Sequence, residues 1–156
     1  MASSTSSRRK SSSGLPRERP EIDFLILADR AEGINGKLYM MGGGWQEIRV
    51  PDFAQPLNFS LAVGVLVPWN ATNEEHSLEI RIESQDGTPF PPPISVKLNV
   101  GRPPGALPGQ EFRSIIAVNG AWKLPGPGTY RAFAVVADGE IRRATFRALP
   151  LSVQPV

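Results

Sequence analysis

Alternation of apolar and polar residues is the clearest pattern in this chain. It is strictest in residues 57–67 (LNFSLAVGVLV) and 78–84 (LEIRIES), where every second residue is apolar. Successive side chains of a β-strand point to opposite sides, so this period predicts strands with one face toward a core. In the second stretch, Glu79, Arg81 and Glu83 occupy the polar face, and we interpret them as a solvated surface rather than as an acid/base pair.

Six further stretches have strand character, and Gly- and Pro-rich turns separate them: residues 22–29, 37–48, 94–100, 112–119, 130–137 and 141–153. The connection at residues 101–109 holds three prolines and three glycines, which excludes a helix there. No amphipathic helix of useful length is present. About eight short strands with such turns predict an all-β fold, an immunoglobulin-like or jelly-roll-like antiparallel β-sandwich.

The C-terminal hairpin, residues 128–146 (GTYRAFAVVADGEIRRATF), is the strongest local signal of this fold. Asp138-Gly139 between two extended stretches predicts a two-residue type I′ turn, because both residues tolerate positive φ. Tyr130 follows a Pro-Gly segment, as in the tyrosine corner of immunoglobulin-like sandwiches, in which the hydroxyl bonds to nearby backbone. We therefore expect Tyr130 to be a structural brace.

The return strand of this hairpin carries Arg142, Arg143 and Arg147, and it ends near Pro150. Proline has no N–H to donate to a neighbouring strand, so it suits a sheet edge or a bulge. This strand is our candidate edge strand, and its three arginines belong to the candidate binding surface. Charged residues on an edge can alternatively serve to prevent unwanted pairing.

Three consecutive glycines, Gly42, Gly43 and Gly44, interrupt the predicted strand 37–48, which we expect to pair with the first strand as a hairpin. Glycine inside a strand is costly and usually marks a bulge or a close approach by another part of the chain. A phosphate-binding loop would continue into a helix, and it would carry Lys followed by Ser or Thr. Neither feature follows here, so we expect a bulge or a close crossing.

Charge is distributed unevenly along the chain. Residues 1–19 hold five Lys or Arg against one Glu, a net charge of +4, whereas the remainder holds 12 basic and 14 acidic residues, a net charge of −2. The first segment is Ser-rich and has little to bury, which predicts a disordered tail ahead of one β-sandwich domain over residues 20–156. The tail is either a solvating segment or an electrostatic arm for nucleic acid or an acidic surface.

The chain offers few groups for chemistry. There is no cysteine, and His76, beside Glu74 and Glu75, is the single histidine. A stable metal site usually needs three or four convergent ligands, so we expect no metal and no cofactor. No strand-turn-helix nucleophile elbow is present, and we expect a protein that is not an enzyme.

Each of the three tryptophans, Trp45, Trp69 and Trp122, falls near a strand end or in a loop. Exposed aromatic rings on a sandwich can stack on sugars or anchor a protein partner. Large aromatic side chains are also commonly buried, and these three could instead plug the open ends of the sandwich. They complete the candidate binding surface.

Several segments, taken in order, resemble a family of single-domain bacterial proteins of unknown function. They are LADRAEGINGKLYMMGGGW (27–45), VPWNATNEEHSLEIRIESQDG (67–87), GRPPGALPG (101–109) and PGPGTYRAFAVVADGE (125–140). The resemblance covers residues 21–153. It implies a β-sandwich and a cytosolic bacterial protein, and it supplies no activity, substrate or catalytic residue.

The sequence therefore predicts an architecture more firmly than a function. Our first hypothesis is a non-enzymatic module that docks a protein partner, or self-associates, through an edge strand. The alternatives are a carbohydrate- or small-ligand-binding module that uses the tryptophans, and a hydrolase-like enzyme around His76, which we do not favour. Nucleic acid could engage the basic tail. No apolar stretch approaches the roughly 20 residues of a membrane span or forms a signal peptide, so we expect a cytoplasmic protein without a membrane partner.

Overall fold

The computed structural model describes residues 18–87, 93–137 and 139–152. The predicted tail, residues 1–19, lies outside these ranges apart from Glu18 and Arg19. Within them the chain forms nine strands and one 3₁₀ turn, Trp69–Ala71. The strands are β1 (Glu21–Ile34), β2 (Lys37–Gly43), β3 (Glu47–Val50), β4 (Leu57–Val67), β5 (Glu75–Ser84), β6 (Ile94–Asn99), β7 (Phe112–Trp122), β8 (Gly128–Val136) and β9 (Glu140–Pro150).

The strands make two sheets whose inner faces share one core. The first sheet has the order β2-β1-β4-β7 and the second the order β3-β9-β8-β5-β6. The all-β prediction is confirmed. Six of the seven strand pairings are antiparallel, and β3 pairs with β9 in parallel.

The strict alternation of residues 57–67 and 78–84 fills this core as expected. In β4 the odd-numbered residues from Phe59 to Val67 are at most 1% exposed, and Leu78, Ile80 and Ile82 are 0% exposed. Packed aromatic rings occupy one region of the core. Phe59 stacks on Trp122 with centroids 5.5 Å apart, and Phe146 stacks on Tyr130 at 5.6 Å.

The prediction of one continuous strand over residues 37–48 is wrong. The chain runs as β2 in the first sheet, leaves it at the glycines, and enters the second sheet as β3. The Gly44 N–H donates to the Leu27 carbonyl at 2.7 Å, and a Cβ on Gly42 would overlap the Asp29 carboxylate. The close approach expected at these glycines is confirmed at Gly42.

The β1–β2 hairpin extends beyond the plane of its sheet. After Ala28, residues 29–43, which we call the arm, cross the outer face of β4 and reach β7. The Asn119 side chain of β7 donates to the Ala31 carbonyl at 2.8 Å and accepts from the Ala31 N–H at 3.4 Å. A Cβ on Gly33 would lie 3.2 Å from the Ile115 carbonyl oxygen. The outward residues on this face of β4 are small and buried: Ser60, Ala62 and Gly64, of which Gly64 lies beneath the Phe24 ring.

The β8–β9 hairpin lies inside the second sheet and keeps the predicted corner. The Tyr130 hydroxyl donates to the Gly126 carbonyl and accepts from the Gly126 N–H at 3.2 Å. The predicted two-residue turn is wrong, because Val136 pairs with Glu140 and three residues join the strands. Ala137 does not enter the β8–β9 ladder, since its N–H donates to the Ser77 carbonyl of β5. Asp138 itself lies outside the described residues.

Candidate functional site between two strand edges

The predicted edge strand, β9, has a free edge along part of its length. β8 pairs with one side of β9, and β3 covers the other side only from Arg147 to Pro150. The Arg147 N–H donates to the Gln46 carbonyl at 2.9 Å and the Leu151 N–H to the Val50 carbonyl at 3.0 Å. Odd-numbered residues of β9 therefore direct their backbone groups away from β8. No strand of the described chain pairs with that side of β9 at Ile141, Arg143 and Thr145.

Pro150 is placed consistently with this geometry. As an even-numbered residue it faces β8, and the β8–β9 ladder ends two residues earlier, at Gly128 and Ala148. The N–H that proline lacks would therefore have no acceptor in β8. Pro150 closes the ladder and does not mark the free edge, which lies at the other end of β9.

A second free edge faces the first. β1 pairs with β4 from Glu21 to Ala28, whereas β2 joins its other side only from Ala28 onward. The two free edges border a cleft of about 230 Å³, which we call the edge cleft. It is lined by Leu25, Ile26, Leu27, Gly44, Trp45, Gln46, Ala144 and Thr145.

The chain's own contacts bound the edge cleft at both ends along the strand direction, whereas its outer side is open to solvent. At one end the segment between β2 and β3 bridges the sheets, since Gly44 bonds to Leu27 of β1 and Gln46 to Arg147 of β9. At the other end the Arg142 guanidinium donates to the Ile22 carbonyl at 3.0 Å. Arg142 thus holds the two sheets together.

Trp45 forms the floor of this region. Its ring is half-buried and stands edge-on to Phe59 and Phe146, with centroids 5.6 and 5.7 Å apart. Its Nε1–H is buried and has no hydrogen-bond partner among the described residues. An unsatisfied buried donor costs about 1–3 kcal/mol, so aromatic packing rather than hydrogen bonding positions this ring.

Basic side chains surround Thr145 on the outer face of the second sheet. Arg131 lies directly opposite Thr145, and Arg143 and Arg147 flank Thr145 on its own strand. None of these three arginines pairs with a carboxylate within the described part of the chain. Glu83 lies opposite Arg131 and Glu47 opposite Arg147, but their carboxylates bond to Arg81 at 2.8 Å and to Arg49 at 3.0 Å. Arg143 lies opposite Phe133. Among the described residues, this arginine cluster, Arg131, Arg143 and Arg147, therefore gives the free edge of β9 a positive charge centred on Arg143.

Arg81 illustrates the opposite arrangement on the same face. Its guanidinium contacts Glu79 at 3.0 Å and Glu83 at 2.8 Å, and it lies 5.0 Å above the centre of the Phe133 ring. The hydrogen bond that Arg81 donates to Glu79, supported by the one it donates to Glu83, raises the pKa of Arg81 above its ordinary value. This fully paired site offers little attraction to a charged partner.

The structure does not assemble the three tryptophans into one surface. Trp122 lies in the core, where it is 2% exposed and its Nε1–H donates to the Phe59 carbonyl at 3.0 Å. Trp69 is half-buried, and the Arg102 guanidinium lies 3.8 Å from its ring centre. Arg102 also bonds to Thr72 Oγ1 and the Trp69 carbonyl. Of the three, only Trp45 lies with the predicted arginines.

His76 holds the turn before β5. Its Nε2 lies 2.7 Å from the Ala71 carbonyl, and since a carbonyl can only accept, Nε2 carries the proton and donates. The neighbouring Glu75 pairs with Lys97 at 2.9 Å. Over the described ranges, no three His, Asp or Glu residues come together as metal ligands. The same ranges contain no helix with the length and apolarity of a membrane span.

Sequence reasoning missed the free edge of β1 and the contribution of Arg131. The glycine run was the available signal, because it shows where the chain leaves the position beside β9. Arg131 could not be assigned to the cluster without the register that places it opposite Thr145.

The fold and the edge cleft define an all-β, two-sheet domain with unpaired strand edges at one side of its core. The sequence matches the family of unknown function DUF6941 over residues 23–149, and the chain belongs to that family. No curated protein matches the chain.

Proposed function

We propose that the protein is a non-enzymatic interaction module that adds an extended, acidic segment of a partner protein to the free edge of β9. The observation that carries this proposal is the unfilled position beside Ile141, Arg143 and Thr145, in line with β3. The backbone N–H and C=O groups of a sheet edge are a template for another strand, and many peptide-recognition domains bind in this way.

The chain already demonstrates the pairing that a partner would extend. β3 occupies the same side of β9 over four residues and bonds to it through the Gln46 carbonyl. An incoming segment would lie end to end with β3 along the remaining edge. Trp45 and Thr145 would line the position that its side chains enter.

The size of the edge cleft favours a peptide over a compact small molecule. Small-molecule sites usually measure about 300–1,000 Å³ and enclose most of the ligand. At about 230 Å³ the edge cleft is below that range. A bound strand needs little enclosed volume, since its affinity comes mainly from backbone hydrogen bonds along the edge.

The arginine cluster specifies the chemistry of the partner. Arg131, Arg143 and Arg147 project on the outer face around the free edge without a carboxylate partner among the described residues. Complementary charge speeds association and selects between partners. We therefore propose acidic side chains on the outer face of the bound segment.

Two finer interpretations belong to this proposal. We interpret the sandwich as immunoglobulin-like because the Tyr130 hydroxyl braces the Gly126 backbone, as a tyrosine corner does. We propose the cytoplasm as the compartment on the basis of composition, because a chain without cysteine needs no oxidising environment.

The test measures binding of two labelled eight-residue peptides, one of Val-Glu repeats and one of Val-Lys repeats, by fluorescence anisotropy. We expect only the acidic peptide to bind, with an affinity that falls as salt screens the arginines. Thr145→Pro removes the outward N–H and should weaken binding at least about tenfold, because a lost backbone bond plus the ring's steric bulk exceeds about 1.4 kcal/mol.

Two matched variants separate edge pairing from other causes. Thr145→Val keeps the backbone N–H and should bind like the wild type. The double variant Arg143→Glu and Arg147→Glu should lose the acidic peptide, whereas Lys123→Glu, a single charge reversal away from the edge, should not. Equal binding of both peptides, no binding of either, or normal binding by Thr145→Pro would contradict the proposal.

A further inference from the structure

The outer strand of the first sheet presents an apolar edge of its own. β2 is terminal in the order β2-β1-β4-β7, and its exposed residues include Tyr39 at 53% and Met41 at 72%. Met40 is 39% exposed and Ile34, across the hairpin, is 47% exposed. Proteins usually protect such an edge with charge, proline or a bulge. β2 has only Lys37, at its first position.

The directions of the free backbone groups of β2 follow from its pairing with β1. Ile34 and Lys37 flank the two-residue turn Asn35-Gly36, whose φ values are +50° and +73°, as in a type I′ turn. Ala31 opposes Met40, yet the Ala31 N–H and C=O both bond to Asn119. Ala31 and Met40 are therefore a non-hydrogen-bonded pair. It follows that Leu38 and Met40 direct their N–H and C=O groups to the free edge, whereas Gly42, at φ +58°, is no longer extended.

We propose that a second copy of this chain pairs with β2 in antiparallel orientation, about a two-fold axis at Met40. In this register Met40 faces Met40 of the second copy, and Leu38 faces Gly42. The Met40 N–H of each copy then donates to the Met40 carbonyl of the other. A shift of one residue would place these groups against residues whose N–H and C=O face β1.

The side chains fit this register as well as the backbone does. Tyr39 faces Met41 of the second copy, and sulfur against an aromatic ring is a favourable contact. On the adjoining strand β1, Glu32 opposes Tyr39 and Arg30 opposes Met41, and these two charged residues pair with each other within one copy at 3.2 Å. Lys37 faces Gly43, so no like charges are opposed.

The symmetry of the contact limits the assembly to two copies. A two-fold contact uses the same edge on both chains and leaves no further copy of that edge to bind. One seven-residue strand is a small contact beside the roughly 1,600 Å² of a typical stable interface. We therefore expect a reversible dimer whose fraction rises with protein concentration.

Sedimentation velocity over a range up to about 1 mM tests the proposal on the full chain. Wild type should shift from one copy to two as concentration rises. The variants Tyr39→Lys/Met41→Lys and Tyr39→Glu/Met41→Glu put like charges opposite each other, and each alone should remain a single copy. An equimolar mixture of the two should form the dimer again. Tyr39→Lys/Met41→Glu, with complementary charges in one chain, should also dimerise.

The substituted side chains are largely exposed, so circular dichroism should show that all variants keep the fold. The equimolar mixture separates pairing between copies from changes within one chain. Opposite charges can face each other in the mixture only if a β2 strand of one variant pairs with a β2 strand of the other. A wild type that stays a single copy at 1 mM would overturn the proposal. So would assembly beyond two copies, like-charged variants that still dimerise, or a mixture that does not. Thr145→Pro should leave this dimer unchanged, which separates it from binding at β9.

Discussion

The two hairpins of the chain, β1–β2 and β8–β9, begin from similar local signals and have different surroundings. Each joins two extended stretches through a short turn with positive φ, at Asn35 and Gly36 in the first and at Ala137 in the second. β8 lies at the centre of the second sheet, and its even-numbered residues from Tyr130 to Val136 are at most 3% exposed. β2 lies at the rim of the first sheet, and none of its residues is buried.

This difference shows that local sequence specifies a hairpin, whereas the residues packed against it decide what it does. The β8–β9 hairpin stabilises the core because Phe59 and Trp45 meet Phe146 across the two sheets. The arm is held to the outer face largely by Asn119 and by the small residues beneath it. The β8–β9 hairpin should therefore control global stability, and the β1–β2 hairpin should be free to serve as a contact surface.

The largest loss of stability is expected from Phe146→Ala. Phe146 is 1% exposed and contacts three aromatic rings, those of Tyr130, Trp45 and Phe59. Truncating a buried Phe leaves a cavity that neighbouring rings only partly fill, and it typically costs about 3–5 kcal/mol. Urea unfolding followed by far-UV circular dichroism should show a fall of this size in the free energy of unfolding.

The matched substitution in the arm is Tyr39→Ala. Tyr39 is 53% exposed, and surface truncations usually change stability by less than about 0.5 kcal/mol. The unfolding measurement should use a protein concentration at which the protein is monomeric. Similar losses for the two variants would contradict the division of roles between the hairpins.

Asn119→Ala should release the arm with a smaller loss. The Asn119 amide acts on Ala31 as a neighbouring strand would, donating to its carbonyl and accepting from its N–H. It also accepts from the Ser60 hydroxyl, and both Ala31 and Ser60 are 1% exposed. Removing the amide leaves these buried groups unpaired, at about 1–3 kcal/mol.

Native-state hydrogen exchange locates that loss. Amides of residues 30–34 should exchange faster in Asn119→Ala, whereas those of β8 and β9 should change only as far as global stability does. Asn58→Ala, the same substitution at an exposed outward position of β4, is the control and should have no such effect. Uniform acceleration through both sheets would show that the arm is not an independent unit.

Much of the fold follows from the sequence, because alternation and turn residues act locally. The strand faces of β4 and β5, the close approach at Gly42 and Gly44, and the Tyr130 brace were all predictable in this way. The crossing of the arm was not, because it depends on Asn119, 88 residues from Ala31. In the sequence, the small outward residues of β4 were the one indication that another part of the chain covers this face.

The candidate site was predictable only in part, for a similar reason. Arg143, Arg147 and Trp45 stand out by residue type, and the structure brings them to one side of the core. Arg142 and Trp122 stand out equally, yet one bonds to the Ile22 carbonyl and the other fills the core. Composition identifies side chains able to bind, whereas register determines which of them have partners already.

The smallest loss expected within the β8–β9 hairpin is that of Tyr130→Phe, which tests its brace without disturbing its packing. The ring stays stacked on Phe146, and only the hydroxyl that bonds to the Gly126 backbone is lost. A single neutral hydrogen bond contributes about 0.5–1.5 kcal/mol, so we expect a fall of about 1 kcal/mol in the free energy of unfolding. Tyr39→Phe in the arm, where the structure shows no such bond, is the matched control and should be neutral. A loss near that of Phe146→Ala would mean that the corner supports the core rather than the segment before β8.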